Sequence, residues 1–206
     1  NGELVLLGNK TGSIWYNAGL PTFPFAQRPE GTFQVGIAAG FTLTRFNGGL
    51  AWLGQDEHGT MRVYFLNGYR PIPISKPGLD WLIQSYRDDV GVSDAKGWSY
   101  GREGHSFYVL TFPRANRTHV YDATTDEWHE RLKLDQDTAT YLAYRPMFHA
   151  YCFGRHLVCD SASNRVYQFS STTYTDVGGD ELRRARRFPH LSNEHKKTYY
   201  PLVELD

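Results

Sequence analysis

Cysteine is scarce in this chain: Cys152 and Cys159 are the only two in 206 residues, which excludes a disulfide-stapled scaffold. If Gly154-Arg155 forms a tight turn, Cys152 stands opposite Leu157 and Cys159 opposite Ala150. The thiols then share a face diagonally, a poor position for a bridge, and are expected to be reduced and buried. Charge of one sign is not in excess either. Lys plus Arg number 22 and Asp plus Glu number 22, so no long-range field draws the chain to nucleic acid or an anionic membrane, although a local patch is still allowed. No apolar run reaches the roughly 20 residues of a membrane helix. The opening Asn1-Gly2-Glu3-Leu4 is neither a basic leader nor a start methionine, so the chain is expected to be a fragment or a processed product. The sequons Asn9-Lys10-Thr11 and Asn116-Arg117-Thr118 mean little without a secretory route.

Chemical motifs are just as sparse. The sequence has no Cys-x-x-Cys, His-Glu-x-x-His, Walker A loop or Gly-x-Ser-x-Gly. Its eight histidines are scattered. His149 and His156 can approach each other across a hairpin, but no third ligand sits at a metal-like spacing. Gln55-Asp56-Glu57-His58 and Asp135-Gln136-Asp137 read as solvated turns, and no carboxylate pair stands out as a glycosidase would require. The repeated Ser-x-Asp-x-Gly-x-x-Trp turns of sialidase-type propellers are also missing. We therefore expect no catalytic residues, no cofactor-binding residues, no metal ligands and no cofactor, and read the protein as a non-enzyme. The one conspicuous charge run is Leu182-Arg183-Arg184-Ala185-Arg186-Arg187-Phe188-Pro189-His190, followed by His195-Lys196-Lys197. It reads either as a basic stripe facing phosphates or as a strand whose arginines meet Asp180, Glu181, Glu194 or water. The second is preferred, because Arg183 to Arg187 on a strand would point to both faces.

Aromatic residues and turn formers are abundant. Fourteen Tyr, 12 Phe and 5 Trp against 2 Met favour pleated strands, and 20 Gly with 10 Pro punctuate many short turns. An apolar strand, a polar turn and a second strand with an aromatic or Val-Tyr pair recur four times. The copies are Glu3–Gly8 with Ser13–Tyr16, Gly49–Gly54 with Met61–Phe65, His105–Thr111 with Thr118–Tyr121, and Arg155–Asp160 with Arg165–Phe169. Their marker tyrosines, Tyr16, Tyr64, Tyr121 and Tyr167, recur at close to the roughly 40–50 residues of a propeller blade. Each hairpin alone would expose an apolar face, and packing copies around an axis buries it. A β-sandwich is the alternative, but its turns come every ~8–12 residues.

The third copy continues as Val120-Tyr121-Asp122-Ala123-Thr124-Thr125-Asp126-Glu127-Trp128, similar to a kelch blade. There Asp122 and Thr124 can bond backbone N–H groups to close the turn, and Tyr121 and Trp128 can wedge between blades. One segment departs from the all-β pattern. Over Pro77–Tyr86 the apolar positions 79, 82, 83 and 86 have helical spacing, with Asp80 near the favourable N-terminus, and a short helix across a blade rim is expected. The reading is an all-β propeller with kelch-like blades, about four of them visible, in one body over residues 1–206 that is part of a larger propeller.

The motif order resembles a known family. Glu103 to Pro113, Val120-Tyr121-Asp122 and Trp128-His129-Glu130-Arg131 carry the likeness. So do Ile14 to Gly19, Phe23 to Ala26, Ala51 to Gly54, Gly68 to Ser75, Thr173 to Asp176 and Arg187-Phe188-Pro189-His190. These are similar to the packaged-DNA stabilisation (tail accessory, or hub) proteins of short-tailed bacteriophages. The resemblance implies a structural protein of the virion tail, assembled in the host cytoplasm. Such a protein would help close the portal channel, retain packaged DNA and dock other tail components. It also implies portal, adaptor and tail proteins as partners, a homo-oligomer (a hexamer on the family pattern), proximity to channel DNA and no membrane. Contacts are expected at the polar loops Gln27 to Thr32, Arg87 to Lys96 and Lys133 to Thr140. A carbohydrate-binding or carbohydrate-active propeller and a cellular kelch-type scaffold are the alternatives.

Overall fold

The structure is a computed structural model that describes residues 2–185. These fall into two compact units, one running to Thr173 and the other beginning at Tyr174.

In the first unit, period-two alternation of apolar side chains produces antiparallel sheets. The first contains β1 (Glu3–Leu7), β2 (Gly12–Asn17) and β3 (Phe25–Phe33). The second contains β4 (Val35–Ile37), β5 (Thr44–Phe46), β6 (Gly49–Asp56), β7 (Met61–Asn67) and β8 (Arg70–Pro73). Helix α1 (Pro77–Asp89) leads to the third, an uninterrupted meander of β9 (Lys96–Arg102), β10 (His105–Phe112), β11 (Arg117–Asp122) and β12 (Glu127–Glu130). A separate hairpin, β13 (Leu132–Asp135) and β14 (Thr140–Ala143), precedes the fourth sheet of β15 (Pro146–Cys152), β16 (Arg155–Asp160) and β17 (Val166–Gln168). All four hairpins expected from the repeat are present, as β1–β2, β6–β7, β10–β11 and β16–β17.

The location of the cores separates a propeller from a sandwich, which has one core between two sheets. Three cores alternate here with four sheets. Ile14, Phe33, Trp52, Tyr64 and Leu66 fill the space between the first and second sheets. Phe46, Ala51, Leu53, Val63, Tyr108, Leu110 and Tyr121 lie between the second and third. Trp98, Tyr100, Val109, Val120 and Val158 lie between the third and fourth. Strand β6 shows the cause: Trp52 faces one neighbour while Ala51 and Leu53 face the other, and all three are fully buried. A strand buried on both faces reads as a continuous apolar run. The initial strands β5, β9 and β15 lie side by side, so the sheets are arranged as the blades of a propeller.

The first strand of the second blade is interrupted: β4 and β5 both pair with β6, joined through a 3-10 turn at Gly40–Thr42. Buried Thr42 satisfies the broken ladder, because its hydroxyl donates to the Ala39 carbonyl (2.6 Å) and accepts from the Leu53 N–H (3.0 Å). The Tyr108 hydroxyl donates to the Thr42 carbonyl (2.9 Å). Gly97 permits this approach, since a Cβ there would lie 2.4 Å from the Thr42 oxygen.

Helix α1 begins where its Pro-Gly start predicts and runs three residues beyond Tyr86. Leu79 and Ile83 are buried in the core between the second and third blades, Tyr86 packs against it, and Asp80 pairs with Arg62 (3.2 Å). The helix accounts for the longest interval between marker tyrosines, from Tyr64 to Tyr121. Tyr64, Tyr121 and Tyr167 each pack into the core shared with the preceding blade. Tyr16 does not. It shares the face of Ile14 toward the second blade, and Trp15 holds the equivalent place, since a shift of one residue moves a side chain to the opposite face.

The cysteine geometry also departs from expectation. The β15–β16 turn is Phe153-Gly154, so Cys152 pairs with Arg155 and Cys159 with Phe148, while Ala150 pairs with Leu157. Both thiols are free; Cys159 is exposed and Cys152 half-buried, not buried as expected. In the second unit, Thr175 and Glu181 form an isolated bridge around a turn in which the Asp176 N–H donates to the Asp180 carbonyl (2.8 Å). Leu182 to Ala185 have no regular secondary structure, so the expected strand is not found there, and Arg183 and Arg184 are exposed. Arg186 to His190, Glu194 and His195 to Lys197 lie outside the described residues.

Candidate interaction surface

An antiparallel meander fixes which connections share an end of the propeller. Turns between second and third strands, and connections from one blade to the next, emerge at one end. Turns between first and second strands, and between third and fourth, emerge at the other. The blade-to-blade end carries α1 and the β13–β14 hairpin; the opposite end carries short turns such as Asn47-Gly48, Glu103-Gly104 and Phe153-Gly154.

Only one of the three expected contact loops projects as a loop. Gln27 to Thr32 lies within β3, where the register to β2 shifts between Ser13 and Trp15. The Gln27 amide donates to the Thr32 hydroxyl (2.7 Å), closing this excursion. Its Arg28 packs over the rings of Tyr16 (4.6 Å) and Tyr69 (5.7 Å) and pairs with Glu3 (2.9 Å). The Tyr69 hydroxyl donates to the same carboxylate (2.9 Å), so Arg28 clasps the first blade to the second. Arg87 to Lys96 is anchored at the end of α1, with Val92 and Ala95 buried in the core and Asp94 accepting from the Arg114 N–H (3.0 Å). Lys133 to Thr140 forms the turn of the β13–β14 hairpin, held by Asp135, which accepts from the Thr138 hydroxyl (2.7 Å).

The ionisable groups of the third blade serve as clamps. Buried Asp122 accepts from the Thr124 N–H (2.9 Å) and meets His105 Nδ1 at 2.6 Å. Burial alone would raise its pKa, but these bonds outweigh it and hold the carboxyl below its usual range. Thr124 closes the turn differently from expectation, its hydroxyl donating to the Gly104 carbonyl (3.2 Å). Tyr121 and Trp128 do wedge between blades, with ring centroids 5.2 Å apart and the Trp128 indole donating to the Ile74 carbonyl (2.8 Å). Asp126 accepts from Lys76 (2.6 Å) and from the Tyr121 hydroxyl (2.8 Å). The Tyr121 hydroxyl is pushed up to about 12, first by burial and then by Asp126.

His149 and His156 do approach, with Nε2 and Nδ1 2.9 Å apart and rings stacked at 5.2 Å. Both are half-buried, His149 beside Trp98 and Phe169 and His156 beside Tyr151. Among the described residues no group of three or more His, Cys, Asp or Glu is placed to hold a metal ion. Asp56 and Asp135 of the two acidic groups end β6 and β13, and their carboxylates accept from N–H groups of the turns that follow. A cavity of about 690 Å³ opens beside the Asn47-Gly48 turn, lined by Val5, Arg45, Leu66, Tyr100 and Ser106 among others, and no described carboxylate lines it.

The family described as bacteriophage P22 Gp10, beta-propeller, matches residues 1–174. The chain belongs to that family. The match spans the four blades and ends one residue into the second unit. A search among curated proteins finds no match. This member of the phage stabilisation family is thus a structural protein of the virion with a role in packaged-DNA stabilisation and a β-propeller fold. Its rim chemistry was partly hidden in sequence. The Arg28 clasp joins residues far apart in the chain, whereas the repeated X-Gly turn before each second strand was a readable signal.

Proposed function

We propose that this protein is a tail hub or adaptor. It helps close the portal channel, retains packaged DNA and docks portal, adaptor and other tail proteins as one subunit of a homo-oligomer, a hexamer on the family pattern. Assembly takes place in the host cytoplasm, and the rims lie near channel DNA without touching a membrane. The observation that carries this reading is the family match across the whole blade stack. The architecture supports it: strands such as β6 and β10 are buried on both faces, so the body is a stiff spacer, and binding falls to the connections at its two ends.

The test is reconstitution with the purified protein. DNA-filled heads lacking this protein are mixed with it, followed by nuclease challenge and electron microscopy. Protection of packaged DNA and a symmetric ring at the portal vertex are expected. Unchanged leakage with no added density would overturn the reading, as would hydrolysis of a glycan panel abolished by a single Asp or Glu substitution.

A further inference from the structure

The turns between first and second strands in three successive blades share one backbone form. Asn47-Gly48, Glu103-Gly104 and Phe153-Gly154 have φ values of 44 and 80, 53 and 82, and 54 and 70. Two-residue hairpins of this kind favour Asn, Asp or Gly at the first position, because a short polar side chain tolerates left-handed backbone. A bulky residue there is strained. Phe153 thus opposes the turn chemistry of its own hairpin, and packing does not compensate. Its side chain is 93% exposed, the most of any large apolar residue described, and no ring or cation partners it among the described residues. Tyr151, two positions earlier, is 65% exposed but packs its ring on His156, with centroids 4.8 Å apart, on the face toward the third blade. Arg155, two positions later, is exposed and makes no ion pair among the described residues. An exposed aromatic at the turn therefore stands two residues from a guanidinium that has no ion-pair partner among the described residues, and both residue types are enriched where protein interfaces concentrate their binding energy.

Resting on the tail-hub reading, we infer that the Phe153-Gly154 tip is a docking knob for another tail protein. The Phe153 ring enters an apolar pocket of the partner, and Arg155 meets a carboxylate on that pocket's rim. A nucleic-acid contact would call for several cations tracking phosphates. The tip offers one, and the matching turn of the third blade presents Glu103, 71% exposed.

The purified protein is titrated against DNA-filled heads lacking it, and its melting temperature is recorded separately. Phe153→Asn should melt at the same or a slightly higher temperature, since Asn suits the turn. It should bind heads at least about 30-fold more weakly, the scale of an interface hot spot. Phe153→Trp should restore binding, and Arg155→Glu should weaken it about tenfold. Equal binding by wild type and Phe153→Asn would overturn this inference alone. So would a Phe153→Asn defect confined to a single-stranded oligonucleotide, which would assign the tip to nucleic acid. A wild-type protein that ignores the heads would overturn the hub reading and the knob together.

Discussion

The third and fourth blades follow the same antiparallel plan, yet the third is buried on both faces and the fourth on one. In the third, Tyr108, Leu110 and Phe112 face the second blade, while Val109 and Thr111 face the fourth, and none is more than 1% exposed. In the fourth, Val158, Tyr167 and Phe169 face the third blade. Its other face carries Phe148, Ala150, Leu157, Cys159 and Val166 by register, with Phe148 54% and Val166 61% exposed. The first blade mirrors this, leaving Leu4 and Leu6 half-exposed on its outer side. The side-chain chemistry of a blade face is therefore the same whether or not a neighbour covers it, and only the packing differs.

That difference should appear most strongly in cavity-forming substitutions. Phe112→Ala, 1% exposed in wild type, should cost about 4 kcal/mol in urea unfolding. The same truncation of Phe148 should cost far less, and equal losses would break the contrast between the blades. Acid should come next. His119 is buried, shares a hydrogen bond with the Tyr86 hydroxyl through Nε2 (3.2 Å), and is held down to about 4 by burial and then by nearby Arg117. The unfolded chain protonates this histidine near its ordinary 6.5. Between those values the unfolded state binds more protons, so stability should fall by about 3 kcal/mol as pH drops from 6.5 to 4. A His119→Gln protein with an unchanged acid slope over that interval would remove this account.

The fourth blade has its own half-buried ion pair. Arg145 grips Asp160 through two nitrogens and, with the Ser163 and Ala162 donors, holds that carboxyl down to about 2. Its stabilisation is present above the ordinary carboxylate value near 3.8 and lost as pH falls through about 2. Asp160→Asn should cost roughly 2 kcal/mol at neutral pH, and thermal melts across this acid range should lose the corresponding step. The smallest effect belongs to the open face. Phe148→Thr should shift stability by no more than about 0.5 kcal/mol, and a larger loss would mean that this face is covered in solution.

Much of the fold was legible because blade hairpins are local. Tyr64 and Trp128 stand beside residues that reveal strand, turn and strand, and Leu79, Ile83 and Tyr86 announce α1 by their spacing. Register was less legible. The reading that set Tyr16 beside Tyr64 was off by one residue, and the turn placed at Gly154-Arg155 was in fact Phe153-Gly154. In both cases the repeating pattern tolerates a one-position slip that the fold does not, because one face is buried. The expected contact loops were misjudged for a related reason. Gln27 to Thr32 is polar because Arg28 clasps Glu3 and two tyrosines, and Arg87 to Lys96 hides two buried apolar residues.

By itself, then, the sequence determined the all-β class, the four hairpins, the helix and the family, since each rests on alternation, turn residues or motif order along neighbouring positions. Tertiary structure alone decided which face of each strand is buried, how Thr42 mends the broken first strand, and that Phe153 stands exposed at a strained tip. Those outcomes depend on contacts between residues far apart in the chain, where the free energy of burial, and not local propensity, selects the arrangement.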